Sequence, residues 1–112
     1  MRFSLVLGIG LLAASFAASA APRGLTVDDL VRLDRVAGPQ LSPDGRWLAF
    51  QLRETDYEAN KGVQGLWLMP SDGSAPARRL TAKGQTSVTP RWSASGDALY
   101  FLSARSGSQQ VW

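Results

Sequence analysis

Gly38-Pro39-Gln40-Leu41-Ser42-Pro43-Asp44-Gly45-Arg46-Trp47-Leu48-Ala49-Phe50 returns later in the chain as Thr89-Pro90-Arg91-Trp92-Ser93-Ala94-Ser95-Gly96-Asp97-Ala98-Leu99-Tyr100-Phe101. The offset is constant at 51 residues: Pro39 meets Pro90, Ser42 meets Ser93, Gly45 meets Gly96, Leu48 meets Leu99 and Phe50 meets Phe101. Leu41 and Trp92 keep the same position apolar. Further on, Gln64-Gly65-Leu66-Trp67 is echoed by Gln109-Gln110-Val111-Trp112 at an offset of 45. The difference of six falls between matched segments, so the intervening charged loop, Arg53 to Lys61, is shortened to Ser103–Ser108 in the second unit. Strands that match while loops vary are the mark of a structural repeat.

Each unit alternates short apolar runs with turn clusters. Ser42-Pro43-Asp44-Gly45 has the composition of a type I turn, in which Pro fixes φ at the second position and Gly accepts a positive φ at the fourth. Arg46–Leu52 then reads as a strand and Leu66–Met69 as another, closed by Pro70-Ser71-Asp72-Gly73. Arg79-Leu80-Thr81 reads as a weaker fourth strand. Trp47-Leu48-Ala49-Phe50 and Leu66-Trp67-Leu68-Met69 do not alternate polar with apolar, and continuous apolar runs belong to sheets covered on both faces. The expected fold is therefore all-β, made of antiparallel four-stranded β-propeller blades of roughly 45 to 50 residues. One unit is complete and about three quarters of a second follows, whereas closure of such a ring takes about four to eight blades. An incomplete propeller is the expectation, with domains at 1–20, 21–37 and 38–112 (leader, N-terminal segment with a short helix, and the first two blades).

The leader is read from Met1-Arg2, a short positive start, an uncharged apolar stretch from Phe3 to Ala17, and the small residues Ala18-Ser19-Ala20. This is the pattern of a secretory signal peptide with cleavage after Ala20, which implies a periplasmic or secreted product with no membrane attachment after cleavage. A retained anchor would need about 20 strongly apolar residues, and Ala, Ser and Gly fill the second half of this stretch. Thr26-Val27-Asp28-Asp29 reads as a helix start, with a capping hydroxyl and two acids at the positive end of the helix dipole. Val27, Leu30, Val31 and Leu33 mark its apolar stripe, ending near Ala37-Gly38-Pro39. A helix that packs over an exposed flank is the expected role, a partner-binding helix the alternative.

Composition excludes much. A chain that is 45% hydrophobic and carries four Trp and four Phe is not a disordered one. A net charge of +3 arises from interspersed acids and bases, not from the basic face that a nucleic-acid partner requires. With no Cys there is no disulfide, thiolate metal site or cysteine nucleophile. With no His, the usual general base of hydrolases is missing. No phosphate-cradling glycine loop opens a helix. Catalytic, cofactor-binding and metal residues are therefore all expected to be none, and no cofactor is expected.

The stretch Leu41–Phe50, with Leu66-Trp67-Leu68-Met69 and Arg79-Leu80-Thr81 after it, resembles the propeller repeats of the prolyl oligopeptidase family of serine peptidases, especially its exported acylaminoacyl-peptidase and dipeptidyl-aminopeptidase-like members. It also resembles the TolB-type periplasmic propeller, a non-enzymatic binder of partner proteins. A helix like Leu25–Leu30 followed directly by the first blade is similar to the opening of the peptidases. TolB-type proteins place a larger domain there, for which residues 21 to 38 leave no room. The peptidase resemblance implies a Ser-Asp-His triad on a C-terminal hydrolase domain, none of it within these residues. It further implies a propeller that restricts access to small peptides, partnered by the remaining blades and reaching a peptide substrate through the missing catalytic domain.

Three sets of residues invite a site reading. Trp47, Trp67, Trp92 and Trp112 suit an aromatic ligand platform, but as strand positions in a repeat they are read as blade packing. Arg78-Arg79 would suit an acidic substrate group, and are read as a strand-end pair on a solvated surface. Asp56 and Glu58 would suit a substrate amine or a metal ion, and are read as solvated loop charge.

Overall fold

The computed structural model describes residues 21–112. The signal peptide expected over residues 1–20, with its cleavage point after Ala20, lies outside the described residues. Helix α1 covers Val27–Arg32 and opens where the sequence indicates. The Thr26 hydroxyl accepts from the Asp29 N–H at 3.2 Å, while the Asp29 carboxylate accepts from the Thr26 N–H at 2.9 Å. This reciprocal capping box satisfies two donors that the first turn would otherwise leave free. The helix stops earlier than its apolar stripe suggests. Leu33 is already extended, and strand β1 begins at Arg35. None of the helix residues is buried, so it does not serve as the packing helix that its periodicity suggests. Its tie to the sheets is Arg32, which lies 4.6 Å over the Tyr57 ring.

Two antiparallel sheets follow. The first contains β1 (Arg35–Leu41), β2 (Trp47–Asp56), β3 (Lys61–Pro70) and β4 (Arg78–Arg79) in that order. The second contains β5 (Ser87–Trp92), β6 (Leu99–Ser103) and β7 (Gln110–Val111). The all-β reading holds. The charged loop expected from Arg53 to Lys61 is far shorter, because β2 runs on to Asp56 and β3 starts at Lys61. A four-residue turn remains, closed by the Asn60 N–H donating to the Tyr57 carbonyl at 3.2 Å and by Asn60 at φ 47°. Asn tolerates that region through its short polar side chain. The weak fourth strand is shifted by a residue relative to Arg79-Leu80-Thr81, although Leu80 still donates to the Leu66 carbonyl at 2.8 Å.

The repeat is reproduced bond for bond. Leu41 faces Leu48 as Trp92 faces Leu99, and Val36 faces Leu52 as Ser87 faces Ser103. Phe50 faces Trp67 in the first sheet, and in the second the backbones of Phe101 and Trp112 exchange both hydrogen bonds, at 3.1 and 2.9 Å. Both first hairpins are closed in the same way. Ser42 donates to the Trp47 carbonyl and Ser93 to that of Ala98, and each serine hydroxyl accepts the reciprocal N–H. Gly45 and Gly96 take φ of 72° and 76° as the fourth turn residues.

A bulge recurs too. Pairing slips between Ala37 and Gln40 in β1 and between Val88 and Arg91 in β5. The residues absorbing it are Gly38 at φ 58° and Thr89 at φ 57°. The segment Ala37-Gly38-Pro39, where the apolar stripe predicts the helix to end, is thus the interior of a bulged strand. A β-branched residue in the left-handed region is strained, and Thr89 is held there by its N–H donating to Gln51 Oε1 at 3.0 Å. Gln51 belongs to the first sheet, so the bulge is also a joint between sheets.

Other contacts complete that joint. Trp92 Nε1 donates to the Gln40 carbonyl at 2.9 Å, and β5 packs against β1, β2 and β3. Ala49 and Leu66 become fully buried and Leu68 nearly so, while Phe50 is buried on the opposite face of β2. Successive residues of a strand point to opposite faces, which is why the central strands read as unbroken apolar runs. The places that match Ala49 and Leu66 in the second sheet are Tyr100 and Val111, which are 50% and 67% exposed. Identical places in the repeat are dry where a following sheet covers them and wet where none does.

Two outcomes follow from these turns. Gly38→Ala is expected to lower stability by about 1 kcal/mol, the cost of a left-handed L-residue, since the added methyl would meet only Gln51 at an ordinary 3.6 Å. A urea midpoint that falls at unchanged slope reads this. Hydrogen bonds from the Ser42 hydroxyl, then from the Arg46 backbone and guanidinium, hold Asp44 down to about 2. Asp97 is likewise lowered, by Ser95 and then Ser93. Carboxylates depressed in the folded state stabilise it above their unfolded pKa of about 4, and that contribution is lost as pH falls toward about 2. The urea midpoint is expected to drop between pH 5 and 2.5. A variant carrying Asp44→Ala and Asp97→Ala starts lower at pH 5 and drops less.

Candidate functional site

Strand β4 is only two residues long, yet it sets the most developed polar cluster of the described residues. Register places Arg79 opposite Trp67, and its guanidinium lies 5.8 Å over the indole ring. Arg79 Nη1 pairs with Glu54, and Nε donates to the Thr81 carbonyl at 2.8 Å. The Thr81 hydroxyl in turn accepts from the Leu66 N–H at 3.1 Å, which ties the end of β4 to the centre of β3. Gly65 is what makes room. A methyl group built there would overlap the Arg79 guanidinium, so this glycine is required by close approach and not by its φ.

The Arg79 side chain is 14% exposed and that of Glu54 34%. Arg79 is therefore not the solvated strand-end charge that the sequence suggests. Arg78, its neighbour, is exposed as expected. Two donors, Arg79 Nη2 and Trp67 Nε1, are enclosed without a partner, a cost that the ion pair and the ring stacking offset. A cleft of about 200 Å³ opens beside the cluster, lined by Glu54, Asp56, Lys61, Val63, Arg79, Lys83 and Gly84.

The sequence-derived candidates separate here. Asp56 reaches this cleft, but its carboxylate also accepts from the Ala59 N–H at 2.9 Å and so shapes the turn. Glu58 does not line the cleft and stays exposed in the turn. Among the described residues no three acids or other ligating groups gather in a way that could hold a metal ion. Trp67 and Trp92 act as packing residues, whereas Trp112 is 44% exposed. Trp92 crosses between sheets, and Trp112 is capped by Arg105 5.0 Å over its ring. Trp47 is 38% exposed, beside a larger cleft of about 460 Å³ between the turns at Gly45 and Ser71. The four do not form one platform.

Sequence reasoning missed the pairing of Glu54 with Arg79, because the two are 25 residues apart and meet only when three strands are in register. The small residue at Gly65, inside an otherwise bulky strand, was the available signal. Chemically, the cluster offers fixed charge of both signs beside an aromatic wall. No helix among the described residues is long and apolar enough to cross a membrane.

No protein-family model matches the chain. Curated proteins do. A dipeptidyl-peptidase 5 of Porphyromonas endodontalis is 30% identical over 87 residues, covering 78% of this chain and 12% of that protein. A dipeptidyl-peptidase 5 of Porphyromonas gingivalis is 31% identical over 87 residues, covering 78% and 13%. The uncharacterized peptidase YuxL of Bacillus subtilis is 32% identical over 85 residues, covering 74% and 12%. The chain thus spans about an eighth of the length of the curated relatives it matches.

The Arg79 cluster generates its own test. Arg79→Ala is expected to cost about 2 kcal/mol, below the range for a fully buried pair because Glu54 retains some water. Gly65→Ala is expected to destabilise through the same guanidinium. In a double-mutant cycle of Gly65→Ala with Arg79→Ala, the second change adds little to the first. Fully additive losses in chemical denaturation would show that the two residues act separately.

Proposed function

Taking as premise that this chain resembles the peptidases of the prolyl oligopeptidase family, we propose that it is the opening of the propeller of an exported serine peptidase. The observation that carries the reading is the contrast between covered and uncovered sheet faces. Ala49 and Leu66 are dry beneath the second sheet, and Tyr100 and Val111 stand open in the same places. A third sheet stacked on β5–β7 would bury them, and further sheets would close the ring. Residues 38–112 would then be the first two blades. The likeness to named peptidases supports the rest: the whole protein hydrolyses peptides or acyl-peptides with a triad carried on a hydrolase domain beyond these blades, and the blades limit entry to small substrates. Export through the leader at residues 1–20 belongs to the same proposal.

In mechanism, the described residues position and exclude. The seam formed by Gln51, Thr89, Gln40 and Trp92 fixes one sheet against the next, which is what a rigid annulus requires. No bond-breaking step runs through them.

The coding sequence after Trp112 is expected to contain several more repeats of the Ser-Pro-Asp-Gly type, then G-x-S-x-G, Asp and His in that order. The whole protein is expected to react with a fluorophosphonate at the serine of that motif. A reading frame that completes a ring and stops, yielding a protein that does not label, would replace this reading with that of a partner-binding propeller.

A further inference from the structure

Beneath helix α1, at the end of the first sheet where β1 begins and β2 turns into β3, lies a cleft of about 290 Å³. Its lining includes Arg35, Arg53 and Lys61, with Thr55, Asn60 and Val31, and no carboxylate. Arg35 and Arg53 are direct cross-strand partners. Antiparallel partners project to the same face, and like charges placed so are destabilising. Neither they nor Lys61 has an ion-pair partner among the described residues. Of the acids nearby, Asp56 is the cross-strand partner of Lys61, and the two share the cleft beside Arg79 as well; none faces the two arginines. Asp28 pairs with Arg32, Asp56 holds the Ala59 N–H, and Glu54 belongs to Arg79 on the opposite face of β2. Asp34, next to Arg35 in sequence, is exposed and does not line the cleft. Gly62 gives the arrangement its shape. A side chain there would occupy the place of the Arg53 guanidinium, so the fork lies flat across the strand.

We propose that this cleft binds a carboxylate carried by a peptide. Guanidinium forks carried on two adjacent strands suit the planar, two-oxygen geometry of a carboxylate. The Thr55 hydroxyl supplies a further donor for its remaining lone pairs, and Lys61 stands at the rim between this cleft and the one beside Arg79. The peptide as carrier rests on the peptidase reading above. The anion preference rests on the cross-strand pair Arg35 and Arg53 alone.

The test uses the whole protein, with peptide hydrolysis assayed in parallel. Three N-acetylated tripeptides of the same length are titrated by calorimetry at low salt. One bears a glutamate side-chain carboxylate with an amidated C-terminus. One bears a free C-terminal carboxylate with glutamine in place of glutamate, and one bears neither. At least one carboxylate peptide is expected to bind about tenfold more tightly than the neutral one, and the arms tell which carboxylate the cleft takes. Arg53→Gln and Arg35→Gln are each expected to erase most of that advantage. Because Arg53→Gln also removes a like-charge pair, the unliganded variant is expected to melt at or above the wild-type temperature, which a purely structural arginine would not allow. Equal affinity for all three peptides overturns the proposal, as does inorganic phosphate competing as well as the peptides do. So does an Arg53→Gln protein that melts lower yet keeps the preference. Preference without hydrolysis would remove the peptidase reading and leave this one standing. Hydrolysis without preference would do the reverse.

Discussion

Everything in this molecule depends on sheets that are apolar on both faces. A strand that sends Ala49 one way and Phe50 the other cannot satisfy both side chains by packing on a single layer. The second sheet covers one of those faces, and where it does so Leu66 loses all contact with solvent. The hydrophobic gain from that contact, about 1.5 to 3 kcal/mol for a large aliphatic side chain, accrues only through stacking. The two-sheet stack therefore has one dry seam, while the outer face of the second sheet leaves Tyr100 and Val111 open.

The seam is specific as well as apolar. Polar groups at its margin pair in ways that fix register between layers: a glutamine side chain holds a backbone N–H of the next sheet, and an indole N–H reaches back to a carbonyl. Both bonds start or end at a strand bulge, where an extra residue frees a backbone group from the ladder. The strain at Thr89 makes sense in this light. The bulge must be kept in the second sheet even without glycine, because the geometry of stacking repeats with each unit. Strain at that residue is tolerated because the neighbouring layer over-determines its conformation.

Much of this was legible in the sequence. The constant offset between Pro39 and Pro90 located the strands, and the Ser-Pro-Asp-Gly turn specified its own hydrogen bonds. What stayed hidden depended on partners distant along the chain. The apolar stripe of α1 has helical period, but period alone does not say whether any surface lies opposite, and here Val27 is 78% exposed. The charges from Arg53 to Lys61 looked like a loop because charge is usually solvated. Most of them lie in strands, where each alternate residue faces one of two different clusters. Composition could not show that, since face assignment needs the register.

The three arginines of this region make the point most sharply, since one residue type is treated in opposite ways on the two faces of one sheet. Arg79 is given a carboxylate, a carbonyl and a ring, and two further donors are left enclosed to keep it there. Such an arrangement makes sense for holding three strands together, since removing one member would strand the other's charge. Arg35 and Arg53 are set opposite each other with no such provision. A fold selected for stability alone gains nothing from that pairing, and either position would take a neutral or acidic residue at lower cost. The paired arginine is thus explained by the sheet it belongs to. The unpaired ones are what the proposed carboxylate answers.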